Sequence, residues 1–389
     1  MNRILAGTPT IVRRAGWAAV LVLAGVATTF VLPAGRIFPF SQFVVYLGAA
    51  AGLTVLMGLS GQLSLGHAAF MAVGGYTMAF TQNALYERGF TVAPPAGGSG
   101  RFASAAPPVA ALWTLPVSLL AGVVAAVLAG ALVGLAAARL RGPYLAGVTL
   151  TIGIAVPSVT ATFAVLGGEQ GFAVQVPRRP SWLAADIATE AQWRAWLALV
   201  ATAIMLAVLA NLSRGPLGRD LRAVRDDEVA AALAGIPVAR TRVLAFVVSA
   251  ASAGLAGGLY VYLTGTVLPG YFSFTTSLFL LLAAVLGGLG SLAGAAWGAL
   301  FVVAVPIATA ELVGALHAGP ALAQRLAGNL PLALLGLALI VVTLTARRRP
   351  RSPGWRAVRS LGRRGQDGRT PSGSLHPSAE DDRKVGAAP

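Results

Sequence analysis

A succession of long apolar runs, nearly free of charge, most constrains what this chain can fold into. Runs of spanning length lie near residues 16–33, 42–59, 67–85, 109–138, 145–166, 193–212, 243–264 and 329–346. Crossing a bilayer as a helix takes about 20 such residues. Lipid offers the backbone no hydrogen bonds, so a spanning segment must satisfy its own polar groups. Residues 278–310 form one further uncharged stretch, too long for a single crossing and interrupted by Gly287, Gly288, Gly290 and Gly294; it is expected to form two helices. The chain therefore reads as an all-α polytopic membrane helical bundle of about ten transmembrane helices, with short broken or re-entrant glycine-rich elements. The run at 109–138 would be about 45 Å long as one helix, so a strong tilt or an additional break is expected there.

Charge is scarce and its placement is informative. Only 11% of the residues are charged, against about 25% in a soluble domain, which excludes a soluble globular enzyme. Lys plus Arg outnumber Asp plus Glu by 29 to 13, a net charge of +16. The excess sits in loops between apolar runs and in the segment after position 346, without the interleaved aromatics of a nucleic-acid surface. The partner it implies is the lipid bilayer, with no nucleic acid. Under the positive-inside rule, Arg3, Arg13 and Arg14 put the amino terminus in the cytoplasm. Ten crossings then place Arg139, Arg141, the loop 213–242 and Arg347, Arg348 and Arg349 on the same side. Both termini are thus expected to be cytoplasmic, in a multi-pass protein of the plasma (inner) membrane. Arg178 and Arg179 fall outside and dissent from the rule. The run from Gly16 to Leu32 has the length of a signal-peptide core, but no small-residue cleavage site and soluble domain follow it; it is read as a retained first helix.

Two domains follow: a membrane domain over 1–346 and a basic tail over 347–389, rich in Arg, Pro and Ser and expected to be disordered. Two external loops are expected, 87–108 and 167–192, the second with Pro177, Pro180 and Trp182, and Trp193 just beyond it. With no cysteine in the chain, disulfides and thiolate sites are excluded, and no metal site is expected.

Three segments carry polar or glycine-rich chemistry. In the first, Gly58 to His67, the residues Ser60, Gly61, Gln62, Ser64, Gly66 and His67 adjoin apolar runs, where polar groups are costly unless they face protein or water. One reading is a broken or re-entrant element lining a pathway; the other is a short cytoplasmic turn followed by a helix that packs through small residues. In the second, Asp220, Asp226, Asp227 and Glu228 precede an alanine-rich stretch containing Ala231 and stopped by Gly235 and Pro237. Acidic residues suit the positive end of a helix, so a short charged surface helix is expected, either a docking element for a cytoplasmic partner or a solvated connector. The third segment contains Gly287, Gly288, Gly290 and Ser291 and echoes the glycine spacing of the first.

Absences matter too. The chain contains no G-x-x-x-x-G-K-[ST] phosphate loop, and its only lysine is Lys384. Any ATP drive must come from another subunit. Ionisable candidates for a proton-coupled carrier reduce to Glu311, His67 and His317. A wetted side chain is expected for Glu311 and a hydrogen-bonded structural role for His67.

Gly58 to Phe70, Ala223 to Ile236, Ala245 to Ala250 with Ala253 to Gly257, and Gly287 to Gly294 occur together in this order. Jointly they resemble the permease subunit of the high-affinity branched-chain amino acid ABC importers, over about residues 40–345. The resemblance implies a pore-forming subunit without catalytic residues or cofactor. It also implies a sister permease subunit, two cytoplasmic ABC ATPase subunits that bind the ATP, and an extracytoplasmic substrate-binding protein. On this resemblance Asp226, Asp227, Glu228, Ala231 and Gly235 belong to the ATPase-coupling loop. The general importer signature has Glu followed by two Ala; here Val229 intervenes, so the docking role rests on the loop as a whole. Relatives of that family carry urea or short amides, which is the alternative cargo. Two rival classes stand beside it. Gly58-Leu59-Ser60-Gly61 resembles the nucleophile site of rhomboid intramembrane serine proteases, with His317 as its only remote histidine partner, and an ion-coupled secondary carrier would need no ATPase.

Overall fold

The computed structural model describes residues 8–92, 109–139, 143–180, 183, 188–315 and 320–346. The 93–108 stretch of the first external loop, Trp182, His317 and the basic tail lie outside them. Residues 1–340 form one compact unit and 341–389 a second, of which only 341–346 are described. The helices are α1 (Thr8–Val31), α2 (Ala34–Ser60), α3 (His67–Glu87), α4 (Thr114–Arg139), α5 (Pro143–Thr162) and α6 (Glu190–Arg214). After them come α7 (Pro216–Asp226), α8 (Glu228–Leu233), α9 (Val238–Thr264), α10 (Phe274–Gly287), α11 (Leu292–Ala315) and α12 (Pro320–Ala346). There are also two short antiparallel pairs, β1 (Thr91–Val92) with β2 (Val109–Ala110) and β3 (Phe172–Ala173) with β4 (Thr266–Val267), and short 3-10 turns at Ala164–Leu166, Gly168–Gln170 and Pro269–Phe272.

The fold is an all-α polytopic membrane bundle. Among the described residues, 7 helical segments are long and apolar enough to cross a membrane: 34–60, 114–139, 144–162, 190–214, 238–264, 269–287 and 292–315. α1 and α12 contribute only shorter apolar stretches, Ala19–Val31 and Gly328–Val341. The long uncharged stretch divides into α10 and α11 at its glycine run, as expected. No break interrupts α4, which excludes the second of the two alternatives for that run: β2 takes its first residues, and 26 residues of helix remain.

α4 shows how the bundle packs. Its buried face carries Ser118, Gly122, Ala126, Gly130, Gly134 and Ala137, while Val117, Leu120, Val124, Leu128, Leu132 and Leu135 are exposed. A soluble helix would bury the large residues. In lipid, acyl chains are as apolar as leucine, so close packing decides and small residues turn inward. α9 answers with its own small residues, and Gly74 of α3, Gly122 of α4 and Gly254 of α9 converge. A Cβ at Gly74 would overlap the Gly254 backbone, one at Gly122 the Gly74 carbonyl, and one at Gly254 the Ala126 methyl. α2, α3, α4 and α9 thus form a close-packed core, with α10 and α11 on one side of α2 and α6 and α1 on another.

α3 is more polar than the other core helices because its carboxyl end is tied into the outer layer. Gln82 donates to Thr114 Oγ1 (2.7 Å) and to the Gln175 carbonyl (3.1 Å), and accepts from Ser118 (2.8 Å). Asn83 bonds both ways with the Ala173 carbonyl and the Gln175 N–H. These contacts lie beside the β3–β4 pair, at the carboxyl end of α9, opposite α7 and α8.

Gly254→Val is expected to destabilise the bundle by about 2 kcal/mol or more through overpacking, lowering the thermal-unfolding midpoint in detergent. Gly147→Ala, whose added methyl would meet no atom within 4 Å, is expected to leave the midpoint unchanged or raise it. Equal effects of the two substitutions would contradict the close-packing account.

Candidate functional site

The three segments singled out in the sequence meet at one end of the bundle. α2 stops after Ser60 because Gly61 takes the left-handed conformation, φ 70°, and its N–H closes onto the Met57 carbonyl at 3.2 Å. A helix end leaves its last carbonyls without intrahelical donors. Arg225 supplies one: its Nη1 donates to the Gly58 carbonyl at 2.5 Å, while Nε and Nη2 hold Asp226 Oδ1 at 3.0 and 2.9 Å. On its other flank Gly58 lies against the Gly290 backbone, so closely that a Cβ at Gly58 would overlap it. Gly290, at φ 87°, follows Gly288 in the reversal between α10 and α11, and the Ser291 hydroxyl accepts from the Gly294 N–H at 3.1 Å. Gly287 packs against Gly294, which brings α10 and α11 into backbone contact.

The loop 213–242 holds two helices where the sequence leads one to expect a single alanine-rich one. Asp227 leaves α7 in extended conformation (φ −157°, ψ 112°) and caps α8, its Oδ1 accepting from the N–H groups of Val229 and Ala230 at 2.9 and 3.0 Å. Capping favours this split, because an aspartate satisfies two orphan donors there and none inside a continuous helix. α8 ends before Gly235, which has φ 84°. Ala231 is buried against the bundle, whereas Val229 and Leu233 are 70% and 85% exposed. Glu228 forms an ion pair with Arg242 at the start of α9. Gln62 Nε2 donates to Ser60 Oγ at 3.1 Å and reaches the Arg242 carbonyl at 3.5 Å. The α2 side of the α2–α3 break is therefore tied to Arg225 and Arg242, at the two ends of the segment that carries α8.

Inside the break, Ser64 and His67 are enclosed, and Gln62 is 7% exposed. The Leu65 N–H donates to Thr149 Oγ1 of α5 (3.0 Å) and the Ala68 N–H to Ser277 Oγ of α10 (2.9 Å); Gly66 lies directly against the Thr149 carbonyl. His67 stands edge-on to Phe70, ring centroids 6.0 Å apart, beside the backbone of Ala49. Neither of its ring nitrogens makes a hydrogen bond of ordinary geometry, and the same holds for Ser64 Oγ and Gln62 Oε1.

The remaining candidates fall elsewhere. The Ser60 hydroxyl donates to the Leu56 carbonyl (2.6 Å) and accepts from Gln62; among the described residues no histidine is bonded to it. Glu311 of α11 pairs with Arg36 of α2, both about half exposed. Arg178 is exposed, and the Arg179 N–H donates to Glu190 Oε2 at 2.9 Å. No cluster of three or more His, Cys, Asp or Glu side chains suited to a metal occurs among the described residues. Thr149 and Ser277, which anchor the break, went unnoticed in the sequence, since a lone hydroxyl in an apolar run carries no signal. Arg225 and Arg242 were visible only as loop charge.

Residues 35–343 match the family described as branched-chain amino acid transport system / permease component. The chain is 35% identical over 297 residues to the high-affinity branched-chain amino acid transport system permease protein LivM of Escherichia coli (strain K12), covering 70% of this chain and 63% of that relative. It is 32% identical over 156 residues to the permease protein LivH of the same kind of system from Salmonella typhimurium (strain LT2), covering 39% and 46%. It is also 31% identical over 202 residues to the autoinducer 2 import system permease protein LsrC of Enterobacter sp. (strain 638), covering 49% and 54%. The aligned part of the chain thus spans less than two thirds of LivM. No solved structure matches the chain at a significant level. With four fifths of its length matching, and with the glycine-rich break and the charged loop joined at one end, the chain belongs to the permease-component family of branched-chain amino acid transport systems.

Proposed function

We propose that the chain is the membrane-spanning permease subunit of an ABC importer for branched-chain or related small amino acids, that it is not itself an enzyme, and that separate ATPase subunits energise it. The observation that carries this reading is the direct tie between a surface element, α7 and α8, and a polar break in the membrane core. A permease without a nucleotide site must receive force from outside the bilayer, and Arg225 on Gly58 together with Glu228 on Arg242 connects the two. The loop with Asp226, Asp227, Glu228, Ala231 and Gly235 docks on the ATPases, with exposed Val229 and Leu233 facing the partner. Sidedness follows from charge: Arg139, Arg214, Arg219, Arg222, Arg225, Arg240 and Arg242 belong to the helix ends and short helices at this end, which is therefore cytoplasmic. Both termini then lie in the cytoplasm, on the plasma (inner) membrane, with ten crossings between them.

The assembly comprises this chain, a sister permease subunit, two ATPases that hold the ATP, and an extracytoplasmic substrate-binding protein. Similarity to both LivM and LivH supports a paired permease. On ATP binding, closure of the ATPases displaces α8; the close-packed core moves as a body, and the passage opens alternately to the two sides. This chain supplies no cofactor and no catalytic side chain.

The test is uptake of radiolabelled L-leucine into proteoliposomes that contain the assembled complex. Uptake is expected to need ATP and the binding protein, and to be absent when this chain is reconstituted alone. Uptake driven by a proton gradient without ATP would overturn the reading. Glu228→Arg places a second cation beside Arg242 and is expected to weaken co-purification of the ATPases about tenfold, the loss of a charge-assisted interaction of about 1.5 kcal/mol; an unchanged complex would remove Glu228 from the docking role. Arg225→Ala is expected to leave the ATPases bound and to lower leucine moved per ATP hydrolysed, measured on the same vesicles; an unchanged ratio would contradict force transfer through Arg225.

A further inference from the structure

The geometry points to the break between α2 and α3 as an occluded polar site on the solute's route. There Gln62, Ser64 and His67 would receive a compact head group bearing both hydrogen-bond donors and acceptors, such as the ammonium and carboxylate of an α-amino acid. The inference rests on the importer reading and goes beyond it by naming the residues and the chemistry they recognise.

Four polar atoms within six residues, Gln62 Oε1, Ser64 Oγ and both ring nitrogens of His67, are buried and make no protein hydrogen bond of ordinary geometry, with the His67 ring beside the Ala49 backbone. Unpaired polar atoms in a low-dielectric interior are costly; others occur singly elsewhere in the bundle, whereas these fall together in and beside the non-helical segment. The surrounding break is held by Leu65 N–H to Thr149, Ala68 N–H to Ser277 and Gly58 carbonyl to Arg225, and by the Gln62 amide nitrogen, none of which uses Gln62 Oε1, Ser64 Oγ or the His67 ring. The side chains left free are complementary to a zwitterion. Neutral imidazole offers one donor and one acceptor, serine offers both, and the Gln62 carbonyl accepts. α3 begins at His67 with no side-chain cap from Gly66, so the positive end of a 21-residue helix borders the same three residues and favours a carboxylate. The Gln62 oxygen suits the ammonium. A discontinuous helix with its amino end turned to an anionic group is a physical solution for holding such a solute away from water. In the present conformation these side chains are closed off, and the α2 side of the break is tied to Arg225 and Arg242, so movement of α7 and α8 would open them.

The experiment measures two quantities on the assembled complex, its thermal-unfolding midpoint and its ATP-driven L-leucine uptake, for Ser64→Ala and His67→Leu. Replacing unpaired buried polar groups by apolar ones of similar size is expected to leave the midpoint unchanged or raise it, while uptake falls about tenfold or more. His67→Gln, which keeps a donor and an acceptor, is expected to recover part of the uptake. A midpoint and an uptake that fall together would assign these residues a structural role and overturn the inference, as would uptake equal to that of the unmodified protein. Failure of the unmodified complex to take up leucine with ATP would instead overturn the importer reading, so the two failures are distinguishable.

Discussion

A backbone carbonyl released at a helix end inside a bilayer must find its donor within the protein, and at the end of α2 that donor is the Arg225 guanidinium, held in turn by Asp226. This one contact determines much else. It draws a charged side chain from the surface helix α7 under the end of a core helix, so the two cannot shift independently. It also places the positive charge where the α2 dipole is negative. The second tie, Glu228 with Arg242 and Gln62 with the Arg242 carbonyl, adds a link on the same side of the break, while the α3 side is held by Thr149 and Ser277. A surface element and a core break joined in this way have linked positions.

Glycine serves two separate purposes. At Gly74, Gly122 and Gly254 it lets three backbones touch, giving a core that is dense and stiff. At Gly61 and Gly290 it lets the chain reverse, and the two reversals are brought together by contact between Gly58 and Gly290. Rigid packing and local breakage thus occupy different regions. The densely packed part is α2, α3, α4 and α9, and the break is where buried polar atoms lack hydrogen bonds of ordinary geometry.

How much of this could be read from the sequence follows from the range of each interaction. Helix type and order depend on local hydropathy, so the apolar runs, the division of residues 278–310 and the charged loop were all legible. The start of α4 was not, because its apolar run also included β2. The split of α7 from α8 was missed because alanine propensity favours one helix, and the cap made by Asp227 outweighs it. The meeting of Gly58, Arg225 and Gly290 spans separations of 167 residues and more, and nothing in a row of small residues says which other row it will face. Thr149 and Ser277 were invisible for the same reason. The three glycine-rich or charged segments were each identifiable, but their convergence at one end of the bundle emerged only from the fold.

The dependence of the break on nucleotide bound elsewhere can be measured directly, since the chain contains no cysteine of its own. In a Ser64→Cys protein assembled with its ATPases, the rate at which a water-soluble thiol reagent modifies the buried position is compared with and without ATP. Coupling through Arg225 and Arg242 requires a clear rise in that rate with ATP, abolished by Arg225→Ala. Equal rates in both conditions, in vesicles that still accumulate leucine, would contradict it.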